Sequence, residues 1–200
     1  MIFCFLFILF RERKFYLDAY WDLVFEHNSG NGDFFSGNND PTNCRKQNLY
    51  SNLINLKSQY YINGYYEFLL EYPEISGHNR WIQSKNPIDD LEQTGKTATG
   101  YSPISISWPG RYWGGLCKSK NAKTLLDGST SSSDAWWFSI GSNMEYESEN
   151  GIPGPCISLN KDTCTIVKHV KLYARLLPPT GQKTETKLNV IPILVSILFF

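Results

Sequence analysis

The chain has 200 residues, of which 42% are hydrophobic and 15% aromatic, and its formal net charge at pH 7 is zero. This length is enough to bury one sizeable core without help from disulfides. Zero net charge gives no electrostatic attraction to nucleic acid or to anionic membranes, so we expect no nucleic-acid partner. The aromatic content favours strands and binding surfaces over a helical bundle.

The first ten residues, MIFCFLFILF, are apolar throughout. At about 1.5 Å per residue, a helix of this length spans only half of a bilayer core of roughly 30 Å. Such a start is typical of the apolar region of a secretory signal peptide. The alternatives are a membrane-associated stub and a misassigned first exon. We assign residues 1–19 to this leader, with a cleavage point after Ala19.

Residues 20–177 contain six segments that we predict to be strands. Each is rich in aromatic or aliphatic residues, most alternate apolar with polar positions, and Gly, Pro or Asn clusters bound them. In the first segment the alternation places Trp21, Leu23 and Phe25 on one face. The predicted strands cover residues 20–26, 64–72, 81–83, 102–108, 136–140 and 165–177.

One helix is predicted, over residues 45–60. Leu49, Leu53, Leu56 and Tyr60 recur there at helical spacing. Together with the strands, it predicts a mostly β domain at 20–177, an antiparallel β-sandwich or jelly roll with one short helix.

The C-terminal part changes composition twice. Residues 178–187 form a polar linker, and residues 188–200, LNVIPILVSILFF, form an apolar tail. A small residue, a polar spacer and an apolar tail are the layout of a lipid-anchor attachment signal. A tail anchor or a short membrane-spanning end are the alternatives. Both ends favour the secretory route, a secreted or cell-surface location, and membrane attachment through the tail.

Four cysteines remain outside the leader: Cys44, Cys117, Cys156 and Cys164. An even number in a secreted chain indicates two disulfides, with three pairings open. A hairpin turn at Asn160-Lys161-Asp162 would bring Cys156 and Cys164 together, which would leave Cys44 to pair with Cys117. The cysteines and histidines have no metal-ligand spacing, so we predict structural disulfides and no metal site.

The domain resembles a Trp-rich module of uncharacterised secreted and surface proteins of invertebrates, and less closely discoidin-type and fibrinogen-related lectin domains. The resemblance rests on segments spread along the domain: WDLVF (21–25), WIQSKNP (81–87), GYSPIS (100–105), WGGL (113–116), WWFSIG (136–141), GIPGP (151–155) and VKLYARL (170–176). It implies a β-sandwich and no catalytic residues.

Three acidic groups could supply oxygen ligands to Ca²⁺: Asp33 with Asp40, Asp89 with Asp90, and Asp127 with Asp134. None matches a defined calcium loop, and solvated turn residues are the simpler interpretation, so we predict no cofactor. There is no catalytic Ser elbow, and Gly95-Lys96-Thr97 lacks the Gly that a phosphate loop needs.

Aromatic residues beside glycine-rich turns are the remaining functional signal. Tyr112, Trp113 and Trp137 flank loops, and exposed aromatic faces are suited to stacking with sugars. The alternative is that these rings belong to the core. The sequence therefore predicts an extracellular, non-enzymatic recognition or adhesion module for a glycan or an extracellular protein. A structural or adhesive coat protein without a small ligand, and a hydrolase of unrecognised type, are the alternatives.

Overall fold

The computed structural model describes residues 12–17, 19–35, 42–109, 113–120, 124–130, 137–142, 156–160 and 163–177. The strands are β1 (Arg13–Tyr16), β2 (Ala19–Asn28), β3 (Cys44–Lys46), β4 (Leu49–Ser51), β5 (Tyr61–Ile62), β6 (Tyr65–Glu71), β7 (Asn79–Gln83), β8 (Ser102–Ile106), β9 (Trp113–Lys118), β10 (Leu126–Ser129), β11 (Cys156–Asn160), β12 (Thr163–Ile166) and β13 (His169–Leu176). Short 3₁₀ helices cover Ser29–Asn31, Leu53–Asn55, Ser58–Tyr60 and Pro87–Asp89.

Nine of these strands form one antiparallel sheet with the order β3-β4-β2-β13-β6-β7-β8, in which β1 pairs with β2 and β5 with β6. The central strand β13 comes last in the described sequence and inserts between β2 and β6. The strand predicted at residues 165–177 is divided between β12 and β13, and its alternation is confirmed within β13: Val170, Leu172 and Ala174 are buried in the main core, whereas His169, Lys171 and Arg175 are partly exposed.

A second layer covers one face of this sheet. It consists of the two-stranded sheet β9–β10 and the hairpin β11–β12. The main core lies between the layers, because one hydrophobic cluster contains Phe68 and Trp81 of the large sheet together with Leu116, Leu126 and Ile157 of the second layer. The predicted mostly β, sandwich-like antiparallel fold is therefore confirmed.

A bulge in β2 changes which side chains reach this core. Leu172 lies opposite Phe25 and Tyr173 opposite Leu23, so Val24 is the extra residue. Trp21 and Leu23 consequently pack in a smaller cluster with Leu69 and Tyr173, while Phe25 packs in the main core. The prediction of a single face for Trp21, Leu23 and Phe25 is wrong, because the inserted residue shifts the alternation.

The predicted helix at residues 45–60 is also wrong. The segment instead forms the β3–β4 hairpin and two single-turn 3₁₀ helices. Asn48 makes the tight turn possible, because it adopts a left-handed conformation at φ 69° and its side chain donates to Asp33 Oδ2 at 2.7 Å. Leu49, Leu53 and Tyr60 are all buried as expected, but from a strand and two turns rather than from one helical face.

The sheet begins earlier than predicted. Residues 13–16, which the sequence analysis placed in the leader, form β1 and pair with residues 19–22 of β2. Cleavage after Ala19 would separate these paired strands. None of the helices in the described ranges has the length and apolar character that crossing a membrane requires.

The segment at residues 137–142 lies between β10 and β11 without forming a regular strand. It makes two isolated bridges, Leu126 with Ile140 and Trp137 with Cys156. Phe138 has φ 59°, a left-handed conformation that interrupts an extended strand. The predicted strand at 136–140 is therefore wrong, although Phe138 and Ile140 are buried. Trp136 lies outside the described residues.

The cysteine predictions have different outcomes. Cys44 and Cys117 are buried free thiols, one on the edge strand β3 and the other on β9 of the second layer, so the predicted bridge between them is wrong. The predicted hairpin is confirmed, because β11 and β12 pair with Ser158 opposite Cys164. No two of the described cysteine side chains lie at disulfide distance. Cys156 is disulfide-bonded, but the side chain of Cys164 lies outside the described residues, so the pairing of these two cysteines stays a prediction.

Candidate functional site

A narrow cleft opens where β9 and β10 pair and where residues 90–98 run beside them. The space between its lining residues amounts to about 180 Å³ only when open solvent is counted, and none of it is wide enough for a water molecule. The lining residues are Glu92, Lys96, Ala98, Gly114, Gly115, Cys117, Asp127, Gly128, Ser129 and Thr130. Main-chain bonds hold the walls: Ala98 N–H donates to Gly114 O at 2.8 Å, and Gly95 N–H to Thr130 O at 3.0 Å.

Glycines shape this cleft because side chains would collide there. A Cβ on Gly128 would lie 2.8 Å from the Cβ of Phe138 and closer still to the ring of Trp113. Gly115 has φ 84°, which disfavours any residue with a Cβ, and Ala98 and Tyr101 crowd it. The pair Gly114-Gly115 and Gly128 therefore let two strands and a loop approach closely around one buried carboxyl group.

That carboxyl group belongs to Asp127, which is only 2% exposed. Asp127 lies directly opposite Cys117 in the β9–β10 register, just before a register shift at Gly128. Its Oδ1 accepts the Ser129 N–H at 2.7 Å. Its Oδ2 is buried and has no hydrogen-bond partner among the described residues. A buried polar atom without a partner costs about 1–3 kcal/mol, so this oxygen would gain from a donor.

Burial, with a smaller contribution from the nearby charge of Glu92, raises the pKa of Asp127 to about 7, although the N–H groups of Ser129 and Gly128 oppose the rise. The carboxyl group is therefore close to half ionised near neutral pH. A carboxyl group with a raised pKa in a cleft is a typical feature of functional sites, although structural residues show it too.

Cys117 is not a nucleophile in this arrangement. Burial raises its pKa to about 12, with further contributions from the charges of Asp90, Asp127 and Glu92. Its thiol lies 3.8 Å from Asp90 Oδ2. Only a thiolate reacts as a nucleophile, so this cysteine remains a protonated, buried thiol at neutral pH.

Asp90 has a structural role behind the cleft. Its two oxygens accept the N–H and the hydroxyl of Thr99 at 2.6 and 2.7 Å, and Lys85 Nζ lies 3.5 Å from Oδ1. These bonds fix the loop that carries Glu92 and Lys96. Asp90 thus contributes negative potential but no free acceptor.

The structure describes two of the three predicted sugar-stacking residues, Trp113 and Trp137. Trp113 is 7% exposed, and its ring packs edge-on against Trp81 at 4.9 Å and Phe138 at 5.2 Å between centroids. It is a core residue without an open face for a sugar. Trp137 is partly buried and packs against the main core. Tyr112 lies outside the described residues, so the prediction for it remains open.

The structure describes four of the six acids considered for calcium. Asp33 accepts a hydrogen bond from Asn48, and Asp89 is exposed on a 3₁₀ helix, while Asp40 and Asp134 lie outside the described residues. Within the part of the chain that the structure describes, no three His, Cys, Asp or Glu side chains are placed to hold a metal ion.

The outer face of the large sheet carries many charges, but these pair with each other. Glu67 binds Arg80 and, at 2.6 Å, Arg175; Lys171 Nζ lies 2.6 Å from Glu12. Tyr173 donates its hydroxyl to Glu12 at 2.7 Å, and burial together with that bond raises the tyrosine pKa. This network is suited to holding strands together, whereas the cleft presents an unpaired acceptor.

No protein-family model, curated protein or solved structure matches this chain. The expected resemblance to a Trp-rich surface module therefore stays an expectation. Function has to be argued from the geometry of the cleft.

Proposed function

We propose that this protein is an extracellular, non-enzymatic recognition or adhesion module whose ligand contact includes the cleft between β9 and β10. The observation that carries the proposal is the buried, unpartnered Oδ2 of Asp127. Binding sites combine an apolar surround with a few fixed polar groups. Asp127 is such a group, because Ser129 holds its other oxygen and the glycines beside it carry no side chains into the cleft.

One feature supports binding rather than covalent catalysis. The cysteine in the cleft is a thiol with a raised pKa, which is not nucleophilic at neutral pH. A secreted or cell-surface location with membrane attachment through residues 188–200 belongs to the same proposal, supported by the apolar ends of the sequence. The ligand is a glycan or an extracellular protein.

A hydrolase is the second candidate, and one observation favours it. Asp127, with a pKa raised to about 7, and Glu92 line the same cleft. Two carboxyl groups in one cleft, one of them with a raised pKa, are the pattern of an acid and base pair. The test is to incubate each bound ligand with the protein and to follow its mass, because a hydrolase would convert it and a recognition module would leave it intact.

The recognition proposal is tested by probing arrays of glycans and extracellular proteins with the wild-type chain, Asp127→Asn and Asp89→Asn. Asp89→Asn makes the same change of charge at an exposed acid on the 3₁₀ helix Pro87–Asp89, outside the cleft lining. We expect a ligand that Asp127→Asn loses and Asp89→Asn retains. Folded wild-type protein that binds nothing on either array would contradict the proposal, as would a ligand that both variants retain equally.

A further inference from the structure

One end of the large sheet, where β13 finishes, carries several large apolar side chains that are exposed to solvent. Leu176 of β13 pairs there with Tyr20 of β2. The next residue, Leu177, donates its N–H to Gln59 O at 3.1 Å. The β1–β2 hairpin and the segment that follows residue 59 therefore lie beside the point where the chain leaves the sheet. The exposed apolar side chains at this point, which we call the exit patch, are Phe15, Leu17, Tyr20, Tyr61 and Leu177.

Side-chain contacts connect the elements that carry the exit patch. The rings of Phe15 and Tyr20 pack together with 5.1 Å between their centroids. The hydroxyl of Tyr60 donates to Asp22 Oδ2 of β2 at 2.9 Å, so the chain just before Tyr61 is fixed against the hairpin. The members of the exit patch therefore lie on adjoining elements that hold them in place.

The tip of the β1–β2 hairpin departs from what folding alone requires. Tyr16 pairs with Ala19, so Leu17 begins a two-residue turn, and its φ is 50°. Gly, Asn and Asp are the residues that adopt this left-handed conformation most easily in such turns. Leu17 is 44% exposed, and Phe15 is 64% exposed, the largest value among the described large apolar side chains. Apolar side chains grouped on a surface in this way mark a contact with a partner or a membrane.

The sequence that follows Leu177 favours a membrane as the partner. Residues 178–187 are polar, and residues 188–200 are apolar apart from Asn189 and Ser196. Ten extended residues span at most about 35 Å. Because the proposed function attaches residues 188–200 to the membrane, the exit patch cannot lie further than this from the bilayer. Tyrosine rings, which have an apolar body and a polar tip, are enriched at the boundary between lipid and water.

We propose that the exit patch rests on the surface of the lipid bilayer, with Phe15 and Leu17 entering the headgroup region. The inference rests on the membrane attachment in the proposed function and adds the orientation of the domain. β13 has eight residues and is about 26 Å long. The opposite end of β13, where Ile166 lies three residues before the strand begins, therefore faces away from the membrane.

The experiment is photo-cross-linking of the full chain on vesicles of phosphatidylcholine. Photoreactive benzoylphenylalanine replaces Phe15 or Tyr61 in the test variants and Ile166 in the matched control, and all three side chains are exposed. We expect the two test positions to label phosphatidylcholine about fivefold more than the control does, measured by mass spectrometry, because only they reach the interface. Tyr61 keeps the test independent of the predicted leader, which contains Phe15.

The outcomes separate this inference from the membrane attachment itself. Flotation of the wild-type chain with the vesicles reports the attachment. If the chain floats but the three positions label lipid equally, or the test positions label none, the inference fails and the attachment stands. Cross-links from the test positions to a second copy or to residues 188–200, in place of lipid, would also overturn it. A chain that does not float would refute both.

Discussion

Gly128→Ala tests whether the core side chains behind Gly128 hold this wall of the cleft in place. The new Cβ would lie 2.8 Å from the Cβ of Phe138 and 3.0 Å from Cε3 of Trp113, whereas carbon atoms pack best at about 3.5–4.0 Å. Trp113 cannot move away, because its ring is held between Trp81 and Phe138. Overpacking of this kind costs about 1–3 kcal/mol of unfolding free energy.

The assay for Gly128→Ala is urea denaturation followed by tryptophan fluorescence. With a slope of about 1–3 kcal/mol per molar urea, the expected loss moves the midpoint down by roughly 1 M. Gly30→Ala is the control, because its Cβ would meet only the side-chain oxygen of Asn28, at 3.1 Å. A Gly128→Ala midpoint equal to that of the wild type would refute the reasoning that the core fixes the wall.

Three more predictions concern charged and reactive groups. Burial raises the pKa of folded Asp127 from 3.8 to about 7, so the wild type loses stability as the pH rises through this range. In urea denaturation, the unfolding free energy of Asp127→Asn should therefore rise by up to about 4 kcal/mol relative to that of the wild type between pH 4 and pH 8.5. A difference between the two proteins that does not change with pH would contradict this. Tyr60→Phe removes the 2.9 Å hydrogen bond to the buried carboxylate of Asp22. The unfolding free energy, measured by thermal denaturation, should fall by about 2 kcal/mol. An unchanged melting temperature would show that the bond contributes nothing to stability. The Cys117 thiol has a pKa of about 12 and is 7% exposed. It should therefore resist alkylation by iodoacetamide at pH 8 until urea unfolds the protein. Labelling of Cys117 in the native protein, detected by mass spectrometry, would contradict this.

The sequence predicted the elements that depend on local alternation. β13 places apolar and polar side chains on opposite faces as expected, because a strand without a bulge repeats every two residues. β2 departs from this rule, since the extra residue Val24 moves Phe25 to the other face. An inserted residue of this kind depends on the partner strand, so the apolar and polar pattern of β2 alone does not predict it.

The helix prediction failed for a related reason. Leu49 and Leu53 are four residues apart, a spacing that a helix and a strand followed by a turn can both produce. Asn48 decides between them by adopting a left-handed conformation that starts the return strand of a hairpin. The tertiary bond to Asp33 supports that conformation and cannot be read from the local pattern.

The cleft could be predicted only in part. The sequence indicates a solvated turn residue or a calcium ligand at Asp127, whereas the pairing of β10 with β9 places Asp127 opposite Cys117. Glu92 joins them through the bond from its N–H to Lys118 O at 3.0 Å. The one available signal was an acid directly after the apolar pair Leu125-Leu126, which indicates a buried rather than a solvated carboxyl group.

The central claim is that Asp127 holds a buried, unpartnered carboxylate oxygen at the cleft between β9 and β10. The most direct measurement is a ¹³C NMR titration of the Asp127 side-chain carboxyl group. The account predicts a titration midpoint near pH 7 in the folded protein, because burial disfavours the ionised form of a carboxyl group. A midpoint near pH 4 in the folded protein would contradict it.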